Sequence, residues 1–200
     1  GQANLLSHDF QDSYAKELQK SYHYLVQKHQ LREKVIGSVE FFKHRPDNFP
    51  TIRLAQLANL YFYQKNLFSL VMNCSSINEL YQVFNVGVSE YWETHYNFDR
   101  KSSKKMKKLS KSFIELLVIN TIIPLQFAYA RSQQKEITQD LIDLANSIPS
   151  EKNVIIDKFK TFGIASENVY ESQALLQLKK EYCDLKKCLD CAVGHFILKK

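Results

Sequence analysis

Apolar residues return every three or four positions along most of this chain, the spacing that gives an amphipathic helix one inward stripe. From about Asp9 to His29 the stripe is Phe10, Tyr14, Leu18, Tyr22 and Leu25. Val35 to Lys43 fits a short strand or a helix, with helix preferred. After Arg45-Pro46-Asp47-Asn48-Phe49-Pro50 the pattern predicts a helix with Asn48 as its cap and Pro50 in its first turn. Ile52, Leu54, Leu57, Ala58 and Tyr61 form its apolar face, and Leu67 to Met72 continues as helix. Ser76 and Glu79 have the spacing of a capping box ahead of Leu80, Val83 and Phe84. A further short helix is expected over Ser89 to Tyr96.

The second half reads the same way. Lys108 to Gln133 predicts a central buried helix that Pro124 must kink or split, since it removes a ladder bond and crowds the preceding turn. Thr138 to Ser147 and Ser150 to Phe162 follow, closed by Pro149 and Gly163, and Ser166 is expected to cap a helix reaching about Cys183. Five glycines and four prolines in 200 residues leave few sharp turns. These signs predict an all-α fold, a single irregular multi-helix bundle, with residues 1–200 forming one domain. The most apolar window, Phe113 to Ala130, is interrupted by Glu115, Asn120, Pro124 and Gln126, each costly in lipid, so a buried core helix is expected and no membrane partner.

Charge changes this picture in one place. The formal net charge is +6, and much of the surplus lies in Arg100, Lys101, Lys104, Lys105, Lys107, Lys108 and Lys111, with no acidic residue among them. Such a run can meet phosphates or anionic lipid, or it can be a solvated loop leading into a helix. It carries no aromatic residue for base stacking. Arg45 and Arg53 flank the helix start at Asn48, where partial positive charge favours an anion, and the same residues would also serve as a plain helix cap with paired arginines.

Cys183, Cys188 and Cys191 give C-x4-C-x2-C, with His195 four positions further on. Three thiolates and an imidazole could complete a tetrahedral zinc site. An iron–sulfur cluster would want a fourth thiolate, and Cys74 alone remains for it. Equally, these are reduced thiols acting as small hydrophobes near a helix end. No nucleophile motif, phosphate loop, dinucleotide fingerprint or zinc-protease histidine pair is present, so no complete catalytic set can be named. The opening residues lack a basic start followed by an apolar stretch, so no signal peptide is expected and the setting reads as cytoplasmic.

Two stretches carry a family resemblance: residues 45–58, RPDNFPTIRLAQLA, and Ser172 to Leu178 followed by Tyr182-Cys183 and Cys188-Leu189-Asp190-Cys191-Ala192-Val193-Gly194. Both resemble domain-of-unknown-function family 2851, whose members are found mainly in Bacteroidetes and related bacteria. The similarity runs from the opening Gly1-Gln2-Ala3-Asn4-Leu5-Leu6 onward. It implies that this chain is the C-terminal half of a protein about twice as long, whose N-terminal half looks like a divergent nuclease core. His195 is not a position of the family pattern. The expectation is therefore a helical accessory domain supporting that N-terminal half and aiding a grip on nucleic acid. The alternative is part of a metal-dependent nuclease-like enzyme, with the cysteines holding zinc or a cluster.

Overall fold

A computed structural model describes residues 3–31, 39–41 and 45–198. The chain folds as two compact units, Gly1–Leu67 with Phe84–Ser110, and Phe68–Val83 with Lys111–Lys200. The fold is mostly helical, as expected, but it is not purely α, because a two-stranded antiparallel sheet sits in the first unit.

In the first unit, helix α1 (Ser13–His29) starts a turn later than its apolar stripe suggests, because the Asp12 carboxylate accepts from the Tyr14 N–H and fixes the N-terminus there. Phe10 lies outside the helix and is still buried. Helix α2 (Pro50–Tyr63) begins with Pro50 at its first position, but its cap is Phe49 and not Asn48. A 3-10 turn, Pro46–Asn48, comes first. Proline at the first helical position makes the residue directly before it the cap, and Asn48 is one residue too early. Of the Val35 to Lys43 reading, residues 39–41 are neither helix nor strand, and the rest lies outside the described residues.

The helix expected over Ser89 to Tyr96 lasts one turn. Helix α3 (Leu67–Asn73) and helix α4 (Ile77–Val83) come before it, and it is α5 (Glu90–Glu93). Strand β1 (His95–Asn97) then pairs with β2 (Arg100–Lys101), and Asp99 takes the left-handed φ of 60° that turns the chain back. Aspartate tolerates this conformation better than most residues. The core here is aromatic. Tyr91 stacks between Tyr14 and His95, with centroids 4.0 Å away on each side, and Trp92 and Phe10 meet Phe98 at 5.1 and 5.0 Å.

In the second unit α3 is followed by α4, whose capping box forms as predicted: Ser76 Oγ accepts from the Glu79 N–H, and Glu79 accepts from the N–H groups of Ser75 and Ser76. The long apolar segment is α6 (Lys111–Leu117), a π turn over Val118–Ile122, and α7 (Ile123–Ser132). The wide turn lies just before Pro124, where an ordinary α-turn would have needed a proline N–H. Ile114, Val118, Ile119 and Ile122 are buried, and Leu116, Leu125 and Phe127 on other faces are exposed. Gln126, a poor lipid residue, is buried and donates to the carbonyls of Val71 and Cys74 at the end of α3. By length and mean hydropathy alone, the 22 residues Lys111–Ser132 could cross a membrane.

Helices α8 (Thr138–Asn146), α9 (Val154–Thr161) and α10 (Val169–Gln177) complete the packed part, and a π turn, Leu178–Cys183, extends α10. One cap and one start differ from expectation. Helix α9 starts at Val154, later than Ser150, with Asn153 as its cap, and Asn168 caps α10 in place of Ser166. Ser166 instead pairs its hydroxyl with that of Ser150, 2.6 Å away, beside the bridge between Pro149 and Asn168. Gly163 closes α9 with φ +79°, which glycine adopts without strain. A last helix, α11 (Ala192–Leu198), follows the cysteine loop.

Candidate functional site

The two basic stretches of the sequence meet in the first unit. Lys105 Nζ donates to Asp47 Oδ2 at 2.6 Å, and the Tyr96 hydroxyl donates to Asp47 Oδ1 at 3.2 Å. The hydrogen bond from Lys105 holds the Asp47 carboxyl below its usual range, outweighing the opposing effect of burial. Arg53 donates to Asn48 Oδ1 at 2.6 Å and to Gln56 Oε1 at 3.0 Å. Gln56 is itself buried and donates to the Lys107 carbonyl at 3.2 Å. Asn48 and Arg53 thus serve each other and the local backbone, and Arg45 is exposed just before the 3-10 turn.

Lys107 is the least lysine-like of the run, being only 4% exposed. Its ammonium donates to the carbonyls of Trp92, Glu93 at 3.1 Å and His95 at 3.0 Å, and stands 3.9 Å from the centroid of the Tyr96 ring. The Trp92 and Glu93 carbonyls end α5 and the His95 carbonyl opens β1, so Lys107 caps the C-terminus of α5 and ties it to the strand that follows. Burial lowers its pKa. Lys104 pairs with Glu93 at 3.2 Å, Lys108 donates to Asn85 at 3.3 Å, and Lys101 lies exposed on β2. A run with the spacing of a phosphate grip is therefore largely committed to the fold of its own unit.

The expected metal ligands are not gathered. Cys183 and Cys188 are exposed, Cys191 is buried before α11, and all three thiols are free. His195 uses its backbone N–H in the first helical bond of α11, to the Cys191 carbonyl. Among the described residues no three His, Cys, Asp or Glu side chains are placed to share a metal ion. Cys74 lies elsewhere in the second unit, and burial, then the charge of Glu79, pushes its thiol pKa up. Gly194 has a packing role: a Cβ there would fall on the Cys188 carbonyl.

Sequence reasoning missed a different cluster. His95, 5% exposed, sets its Nδ1 2.8 Å from the Tyr91 carbonyl and its Nε2 4.0 Å from Asp12 Oδ2. The Tyr91 hydroxyl donates to that same oxygen at 2.7 Å. Burial and the neighbouring Asp12 raise the Tyr91 pKa. Burial also pushes Asp12 upward, but the hydrogen bonds from Tyr91, Tyr14 and Ala15 outweigh it and leave the carboxyl below its usual range. The signal is present as Tyr91 and His95 four residues apart, but reading that stretch as one helix hides the strand that turns His95 inward.

What these arrangements define is a helix-rich protein in which the chemically versatile side chains are mostly spent on internal structure. The chain belongs to the family described as Protein of unknown function (DUF2851), whose sequence pattern matches residues 1–154. The 45–58 stretch lies inside that match and the cysteine loop lies beyond it. No curated protein and no solved structure matches the chain.

Proposed function

We propose that the chain is a helical accessory module that acts by holding another polypeptide, the N-terminal half implied by the family resemblance. The observation that carries this reading is the outer surface of α2. Leu57 and Tyr61, one helical turn apart, are 47% and 61% exposed, and Tyr63 is 66% exposed. Large apolar side chains crowded at one helix end are costly in water and are typical of surfaces that a partner covers. The paired state of Lys104, Lys105, Asn48 and Arg53 favours this reading over a nucleic-acid grip, and no observation favours a nuclease or metal role.

Co-expression of this chain with the N-terminal half tests it. The two should co-purify, and the double change Tyr61→Ser with Tyr63→Ser should abolish co-purification while leaving helicity intact. Co-purification unaffected by that double change, or none at all, removes the proposal.

A further inference from the structure

Beside the aromatic core of the first unit lies a cavity of about 390 Å³. Its origin is in the sequence of α2. Thr51, Ala55 and Ala58 recur on one face, and the two alanines leave space that larger side chains would close. Tyr14, Trp92 and Phe98 line it as well, together with Leu5 and Leu6. Small-molecule sites usually run from roughly 300 to 1,000 Å³ with mostly apolar walls, so this one falls at the small end.

The chemistry of the lining says what would fit. Among the described residues no charged side chain lines the cavity, so an ionic ligand would lose part of its hydration with no opposite charge to offset it. Two of the polar lining groups are already engaged: Thr51 Oγ1 donates to the Tyr96 carbonyl at 2.6 Å, and Asn59 Nδ2 donates to the Gly87 carbonyl at 3.2 Å. The Tyr14 hydroxyl accepts from the Trp92 indole at 3.2 Å and, as a phenol, keeps one proton to donate. Aromatic walls favour a flat ring between them.

From this we infer that the first unit has a binding site for a small, neutral, planar aromatic compound bearing one hydroxyl, with Tyr14 as its polar contact. This is independent of the partner surface at Leu57, Tyr61 and Tyr63, none of which lines the cavity.

Trp92 is the chain's only tryptophan, so its indole N–H gives one NMR cross-peak that reports on the cavity wall. Titration with 2-naphthol should shift that peak saturably. Its anionic counterpart 2-naphthoate should bind at least tenfold more weakly. Ala58→Leu, which fills the cavity, should abolish the shift. Tyr14→Phe should weaken naphthol several-fold without affecting unsubstituted naphthalene, and it decides the matter should the filled variant fail to fold. An unmoved peak, naphthoate bound as well as naphthol, or loss of naphthol and naphthalene alike in Tyr14→Phe overturns the inference.

Discussion

Lys107 and Lys104 are three residues apart in the same basic run, and their surroundings could hardly differ more. The Lys107 ammonium is buried against three backbone carbonyls and the Tyr96 ring, and the Lys104 side chain is 68% exposed with Glu93 as its partner. Removing a charge that satisfies buried carbonyls leaves them unpaired in a poorly solvated site, and this typically costs about 2–3 kcal/mol. Removing an exposed charge is usually worth within about 0.5 kcal/mol. Lys107→Met should therefore lower stability in urea by about 2–3 kcal/mol, and Lys104→Met should barely change it. Equal effects would show that Lys107 is not the cap of α5. Nothing in the sequence distinguishes these lysines, because the difference lies in where β1 places the carbonyl of His95, and the local pattern there suggests a helix.

At the scale of elements, hydrophobic periodicity is informative and the termini are less so. Helices α2, α3 and α8 lie close to where their apolar spacing puts them, and the Ser76–Glu79 box forms because its two partners are close in sequence. Caps that several nearby polar residues could supply are harder to place. Phe49 holds the position expected of Asn48, and Asn168 holds the one expected of Ser166. The choice between such neighbours depends on where the helix can begin against its packing partners, as in the bridge of Pro149 to Asn168. Asn168→Ala should cost about 1 kcal/mol through loss of the bond to the Glu171 N–H. Ser166→Ala, measured by the same denaturation, should cost less. The opposite order would return the cap to Ser166. The π turn at Val118–Ile122 belongs to this scale as well, since Pro124 announces a disruption without saying what form it takes.

For the molecule as a whole, the mostly helical character is legible from glycine and proline scarcity and from apolar spacing. The hairpin at His95–Lys101 is not, because its strands are only three and two residues long. The candidate site is legible in part. The Arg45–Arg53 and Lys101–Lys111 stretches stand out in the sequence, but nothing there signals that Asp47, Tyr96 and Gln56 bind them to one another. Likewise the spacing of Cys183, Cys188 and Cys191 suggests a metal knuckle, and the fold leaves two of the three thiols exposed. A formal charge of +6 survives this internal pairing, so weak salt-sensitive contact with polyanions is expected from charge alone and would not by itself define a function. Under the proposed function, the working surface is the apolar end of α2 and not the basic run. Hydrogen–deuterium exchange of the chain, free and bound to the N-terminal half, tests this most directly. Protection concentrated over residues 57–63, with residues 101–108 unchanged, is the predicted result; protection over 101–108 with 57–63 still exchanging freely would contradict it.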